Sequence, residues 1–347
     1  MRVLIDVRPA ATCLTGIGRY ARMLEHVARV GVPGHSCALG GSDRLQFSSA
    51  REEELALPAL LAREGVELFH SPLFHLPVLL EGCCGAITIH DAVPVAHPEL
   101  STPGFARLFE RAAEAARRAA VVICPSQTAR DEVASALSLP PEKVHVVPET
   151  PAPVFLRPPP AGRPRAGERF MLVVGSVEAR KNPRLVLEAL ALAPDLPPVI
   201  FVGPPGGFDL VAEAERLGVR DRVRQEGWLP DQQVARLYRQ AALLLFTSRH
   251  EGFGLPIVEA FASGLPVVAS TAGSLPEVAG DAALLVDPDD AQGLADAARR
   301  LLAEAELRTL LVERGRSRLA DHYSAEAVRR GLATAWDRVA AERGAAA

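Results

Sequence analysis

Cysteine is sparse in this 347-residue chain: there are five, the count is odd, and none falls in a C-x-x-C pair. That argues against a disulfide framework and against a zinc site, and favours a reducing compartment. The adjacent Cys83-Cys84 reads as packing rather than redox chemistry. Long apolar runs are also missing. The longest, such as Ala241–Phe246 and Leu265–Ala269, are too short to span a bilayer. Met1-Arg2 leads straight into Val3-Leu4-Ile5-Asp6, a buried-strand pattern without the apolar stretch of a secretory signal, so a cytoplasmic location is expected. No strong charge of one sign is present either. A net charge of −4 leaves no electrostatic footprint for nucleic acid. What remains is 48% hydrophobic and 23% charged residues, a globular composition in a chain long enough for two domains.

Short β-branched runs alternate with longer helical patterns. Strands are expected at Val3–Val7, Leu68–His70, Ala86–Ile89, Val121–Cys124 and Val144–Val147, with helices at Gly18–Val30, Thr102–Arg118 and Gln127–Ser135. In the second half, strands are expected at Arg169–Val174, Val199–Val202, Val223–Glu226, Leu243–Phe246, Val267–Ala269 and Ala283–Val286. Helices fall near Arg184–Leu192, Phe208–Leu217, Asp231–Ala241, Ile257–Ala262, Ala291–Ala303 and Glu306–Leu319. Such alternation means βαβ units and parallel sheets. Proline and glycine are dense over Pro148–Pro164, which reads as a linker. The expected domains are 1–157 and 165–321, each an α/β doubly wound Rossmann-like sheet, with a last helix within 322–347 packing back on the first. Ligands of such sheets bind at the carboxyl ends of the strands, and a cleft between two of them is the natural site.

The stretch His250-Glu251-Gly252-Phe253-Gly254-Leu255-Pro256-Ile257-Val258-Glu259 is the richest in chemistry. Proline suits a first helical turn, so a helix is expected to begin near Pro256. Its amides and positive dipole end make an anion site over Gly252–Leu255. Glu251 precedes that turn and Glu259 is placed within it. A phosphate repels both carboxylates, so each is better used as an acceptor for hydroxyl groups on either side of it. The ligand then has a pyrophosphate in the middle and hydroxyls at both ends, as a nucleotide sugar does.

Other motifs follow expected strands. Gly16-Ile17-Gly18-Arg19-Tyr20-Ala21 matches the dinucleotide fingerprint G-x-G-x-x-A only formally. It lies several residues past its strand and no acidic residue stands about twenty positions on, so a nicotinamide dehydrogenase is rejected. A glycine loop approaching an anion is the preferred reading. Thr88-Ile89-His90-Asp91 places His90 at a strand end, where it can orient a substrate or handle a proton, with Asp91 fixing the ring or capping a turn. His70 ends a neighbouring strand as a weaker candidate. Gly175-Ser176-Val177-Glu178-Ala179-Arg180-Lys181-Asn182 sets two cations, Arg180 and Lys181, where a diphosphate leaving group would develop charge. Gly203 and Gly227-Trp228-Leu229 form turns that can cradle a nucleobase, although core packing would explain Trp228 equally well.

With these residues in place, the chain resembles the retaining glycosyltransferases of family 4, which have the GT-B fold. The likeness runs nearly end to end and is most specific at Glu251-x7-Glu259 within Glu-Gly-Phe-Gly-Leu-Pro. Supporting pieces are Gly16-Ile17-Gly18-Arg19-Tyr20, Ile89-His90-Asp91, Glu178–Asn182 and Gly273-Ser274-Leu275-Pro276-Glu277-Val278. The resemblance implies that Glu251 holds the donor sugar's hydroxyls and Glu259 the ribose. It implies that the Gly252, Phe253, Gly254 and Leu255 amides and Lys181 bind the diphosphate, with Ser176, Gly203, Trp228 and Leu229 also lining the donor site. The Gly16–Gly18 loop would close over the phosphates, and His90 would contact the sugar or stabilise the transition state. One departure is Ser176, where many members carry an arginine. Arg180 would then supply that charge.

The implied reaction moves a hexose, mannose by preference, from a nucleoside diphosphate to an acceptor hydroxyl in glycan or glycoconjugate synthesis, with retention and with no metal or other cofactor. GDP-mannose is the preferred donor; UDP-glucose and UDP-N-acetylglucosamine stay open. A glycan, a lipid-linked sugar and a small molecule all stay open as the acceptor. Arginines of Thr102–Arg118 offer a peripheral contact with an inner membrane face, but Glu110 and Glu114 offset them and a solvated helix is preferred. A sugar-nucleotide epimerase and a non-catalytic nucleotide-sugar binding protein are the competing readings.

Overall fold

A computed structural model describes residues 1–12, 16–47, 49–72, 76, 80, 82–101, 103–157 and 170–346. Cys13, Thr15, Thr102, Arg169 and residues 158–164 of the expected linker lie outside the described residues. The chain divides into two compact units, Met1–Thr150 with Ser324–Ala347, and Pro151–Tyr323.

The first unit holds a six-stranded sheet of β1 (Arg2–Asp6), β2 (Ser36–Gly40), β3 (Leu68–Ser71), β4 (Cys84–Thr88), β5 (Val121–Cys124) and β6 (Val144–Val146). All neighbours are parallel, in the order β2-β1-β3-β4-β5-β6. Alternate residues of a strand point to opposite faces. Leu4 enters the core on one face of this sheet, whereas Val3 and Ile5 enter the core on the other. That is why β1 is apolar throughout: helices cover both of its sides. The last helix, Ala325–Ala346, belongs to this unit; its Val328, Leu332, Trp336 and Val339 are buried in the same core as Val3 and Ile5.

The second unit repeats the plan with β7 (Met171–Val174), β8 (Val199–Val202), β9 (Val223–Gln225), β10 (Leu243–Phe246), β11 (Val267–Ser270) and β12 (Leu284–Val286). The order is β12-β11-β10-β7-β8-β9, again all parallel. Met171 and Val173 face one core, Leu172 and Val174 the other. The sheet grows outward from β7 in both directions, so its topological switch point lies between β7 and β10. In open α/β sheets the ligand crevice lies at the carboxyl ends of the strands there.

Several boundaries differ from expectation. The chain enters the second unit at Pro151 rather than after residue 157, because Phe155 is fully buried and packs edge-on to Tyr238 at 5.4 Å. Glu149 and Thr150 are buried too, so the start of the expected linker is not a solvated tether. The helix expected from Gly18 begins at Gly16, so Gly16, Ile17 and Gly18 form its first turn and not a loop. Among the described residues no helix is long and apolar enough to cross a membrane. The four described cysteines are free, and burial pushes the Cys83 thiol up to about 12, which fits packing rather than redox work.

Candidate active site

The loops after β7 and β10 of the second unit flank its switch point, and they carry most of the residues singled out from the sequence. Gly175 follows β7 with φ +145 and Gly203 follows β8 with φ +150. A Cβ on Gly203 would sit 2.0 Å from the Gly175 carbonyl oxygen, so only glycine permits the two strand ends to approach this closely. The Gly203 amide donates to the Gly227 carbonyl at 2.7 Å and continues the same packing toward β9.

From Gly175 the chain runs through Ser176 to a short turn, Ala179–Lys181, and then to Asn182, a non-glycine residue at φ +56. Asn182 opens the helix Pro183–Leu192, and its amide nitrogen Nδ2 donates to the Pro288 carbonyl at 2.7 Å. The Thr247 hydroxyl, at the end of β10, lies 3.2 Å from the carbonyls of both Lys181 and Asn182. The Arg249 amide donates to the Arg180 carbonyl at 2.7 Å. The carbonyls of the cationic turn are thus tied to the end of β10 by the Thr247 hydroxyl and to the loop after it by the Arg249 amide.

The side chains then converge on Glu251. Lys181 Nζ pairs with Glu251 Oε1, and Arg180 Nη1 lies 3.2 Å from Oε2. The same Arg180 nitrogen donates to the His250 carbonyl at 3.0 Å, while Nη2 donates to Glu178 Oε1 at 3.0 Å. Burial alone would raise the Glu251 carboxyl, but Lys181 and Arg180 beside it hold it at about 2. Burial pulls the Lys181 ammonium below the ordinary lysine value, and the Glu251 charge opposes that pull. Glu251 itself is held from behind. The Ser274 hydroxyl lies 2.9 Å from the Glu251 carbonyl and 2.7 Å from that of Phe253. Gly273, at φ +56, lets that loop pass: a Cβ there would lie 2.7 Å from the Glu251 carbonyl oxygen.

Beyond Glu251 the turn closes at Gly254, φ +112, and the nine-residue helix Leu255–Ser263 begins with Pro256 in its first turn. First-turn amides have no intrahelical carbonyl, and the positive dipole end points at the turn. Glu259 is the fifth residue of this helix, past the first turn in which the sequence places it. It is 1% exposed, and the buried Tyr238 hydroxyl donates to its Oε2 at 2.9 Å. Burying a carboxylate is costly unless it is hydrogen-bonded, and Tyr238 meets that need. At the β9 end Leu229 is half-buried, whereas Trp228 is 46% exposed after Gly227 at φ +66. Core packing therefore does not account for Trp228.

In the first unit His90 follows β4. Its Nδ1 lies 3.2 Å from Glu149 Oε1, and its ring stands edge-on to Tyr20 with centroids 4.7 Å apart. Asp91 is not the ring's partner: its Oδ1 accepts from the Val93 amide at 3.2 Å and closes a turn just ahead of the helix Val93–Ala96. Tyr20 belongs to the helix that Gly16–Gly18 begin, so that helix reaches His90 through it. His70 is fully buried, bonds Thr88 through Nε2 at 2.9 Å, and is held neutral at about 3 by burial. It is a structural histidine and not a proton-handling group.

Arg180, Lys181 and Glu251 thus form one contact cluster. Glu259 is held apart by Tyr238, and Gly203, Trp228 and Leu229 stand at the β8 and β9 ends. Sequence reasoning did not reach Glu149, Tyr238 or Thr247, and it quoted Ser274 only within a motif. Each acts through a contact distant in sequence that no local spacing announces.

Residues 159–318 match the family model of group 1 glycosyl transferases, and residues 18–149 match that of glycosyltransferase family 4. The chain is similar to the O-antigen chain mannosyltransferase B of Escherichia coli, at 31% identity over 367 residues, covering 91% of this chain and 94% of that protein. Among solved structures it is similar in fold to a sucrose-phosphate synthase from Thermosynechococcus elongatus, with a TM-score of 0.76, 21% identity, and 99% and 100% of the two chains covered. It is likewise similar to Anabaena HepE in complex with UDP-glucose, with a TM-score of 0.74, 18% identity, and 97% and 99% covered.

Proposed function

The chain belongs to the group 1 glycosyltransferases, has their GT-B fold, and from that premise we propose that it transfers mannose from GDP-mannose to a hydroxyl of a glycan acceptor with retention of configuration. Membership in an enzyme family sets aside the epimerase and non-catalytic readings. Mannose and a glycan acceptor are favoured by the likeness to an O-antigen chain mannosyltransferase. The observation that carries the reading is the Lys181–Glu251–Arg180 cluster beside a helix N-terminus at the switch point of the second sheet.

In this reading the Gly252–Leu255 amides and Lys181 receive the diphosphate, with Ser176 beside them, and Glu251 accepts from sugar hydroxyls. Glu259 serves the ribose while Tyr238 holds its other side. Gly203, Trp228 and Leu229 border the nucleobase. In the first unit His90 meets the sugar, and the Gly16, Ile17 and Gly18 amides offer a second anion site. A nucleophilic carboxylate would sit about 5 Å from an acid partner across the scissile bond. Glu251 is bound to two cations and poorly suited to that role. A front-face route fits better: the acceptor oxygen bonds C1 as the C1–O bond to phosphate breaks on the same face, and the acceptor's proton passes to the departing phosphate.

A thermal-shift panel of GDP, UDP, ADP and dTDP sugars tests the donor, because a ligand of the native state raises Tm. GDP-mannose should give the largest rise. A larger rise with a UDP sugar would reassign it. No metal is required in this reading, since Lys181 and Arg180 supply the positive charge. Transfer should therefore proceed at an unchanged rate in excess EDTA, and a loss restored by a divalent cation would overturn that part.

A further inference from the structure

The first unit contains a buried carboxylate, Glu149, whose one hydrogen-bond partner among the described residues is His90. Glu149 is 6% exposed, follows β6, and approaches the end of β4 across 59 residues of sequence. The only hydrogen bond it makes among the described residues is the 3.2 Å contact of Oε1 with His90 Nδ1. On the far side of the ring, His90 Nε2 is buried and has no hydrogen-bond partner among the described residues. An orphaned buried nitrogen calls for an explanation, and a group absent from the protein chain is the simplest one.

We propose that Glu149 is the positioning residue for His90: it accepts the Nδ1 proton, fixes the imidazole tautomer, and so leaves Nε2 as a lone-pair acceptor for a hydroxyl of the donor sugar. This rests on the reading that His90 meets that sugar. A neutral imidazole carries one proton, and the hydrogen bond made by one nitrogen decides which it is. A carboxylate accepts only, so a neutral ring facing Glu149 is protonated at Nδ1. Orientation is set as firmly as the tautomer. Tyr20 stands at 89° to the imidazole plane, and its hydroxyl is within 3.0 Å of Thr88 Oγ1, which in turn bonds His70. Burial raises the Tyr20 phenol, so this wall stays uncharged. Asp91, the carboxylate nearest in sequence, is engaged at Val93 and does not compete for the ring.

The test uses the full chain and three variants. In wild type, long-range proton–nitrogen NMR should show His90 protonated at Nδ1, its signals assigned by their loss in His90→Ala. Glu149→Ala should lower kcat by about 10- to 100-fold, the usual cost of losing an outer partner, with donor KM moving less than threefold. Glu149→Gln still offers an oxygen to Nδ1–H, and should keep the tautomer and recover most of the rate. A wild-type His90 protonated at Nε2 overturns the assignment. So does a wild-type rate in Glu149→Ala when His90→Ala has lost transfer. A wild-type rate in His90→Ala overturns instead the underlying reading of His90, while the NMR result still reports on Glu149.

Discussion

Replacing Glu251 by glutamine is expected to lower kcat for sugar transfer by about two to three orders of magnitude, the usual range when one preorganised charge or donor is removed from a transition state. Binding of free nucleoside diphosphate should be retained or tightened. The reason is visible in the cluster: Glu251 neutralises Lys181, the cation proposed for the diphosphate, and pairs with Arg180 beside it. Without the carboxylate Lys181 is available to the ligand, but the sugar loses its acceptor. Initial rates and calorimetric titration with GDP check the two halves separately. Transfer within tenfold of wild type would overturn the role. The same variant reports on stability. Glu251 has a folded value of about 2 against an ordinary 4.5, so its contribution is present above 4.5 and disappears as pH falls toward 2. Removing one member of a fully buried pair costs about 3–5 kcal/mol, and this part-buried pair should cost less. Glu251→Gln should accordingly have a lower Tm at neutral pH, and a smaller difference from wild type near pH 2.

The elements that can be read directly are those whose local pattern settles their burial. β5, β8 and β10 fall where continuous apolar runs predict them, because central strands of a covered parallel sheet are apolar on both sides. The strand Ser36–Gly40 is invisible to that rule. It is an edge strand, largely half-exposed, and its Ser-Cys-Ala-Leu-Gly sequence carries no β-branched residue. The helix Ala50–Arg63 is equally hidden, since it opens on charged residues and contains Pro58. Its start is written in a cap: the Ser49 hydroxyl accepts from the Glu52 amide at 3.2 Å.

The candidate site divides along the same line. Gly254, Pro256 and the paired cations announce themselves because each obeys a local rule of turn or helix start. The partners that hold them do not. Tyr238 lies 21 residues from Glu259 and Glu149 lies 59 from His90, so their roles exist only once the sheets have assembled. Gly16 was not legible as helix, whereas Gly18 was, since glycine costs about 1 kcal/mol in a helix interior and is tolerated in a first turn.

Lys181→Ala is the second large expectation, and its contrast with Arg180→Ala separates the two cations. Arg180 is built into the scaffold: besides Glu251 it bonds the His250 carbonyl and Glu178, so its loss loosens the turn that presents Glu251. Among the described residues Lys181 makes its ion pair with Glu251 alone, and its ammonium lies 5.5 Å from the centre of the Phe246 ring. A lysine ammonium is a compact point charge that can transfer from a carboxylate to a phosphate without breaking a fork of bonds. Lys181→Ala should therefore lower kcat/KM by about 10²- to 10³-fold, mainly through charge lost at the leaving phosphate. Its fall in Tm should be smaller than that of Arg180→Ala. In combination with Glu251→Gln the losses should be strongly less than additive, because groups that act as a unit are disabled by the first removal. Initial rates and melting curves of the two single alanine variants and of the Lys181→Ala/Glu251→Gln double variant decide it. Equal effects of Lys181→Ala and Arg180→Ala on both rate and Tm would mean that the two cations share one role, with no division between leaving-group charge and scaffold.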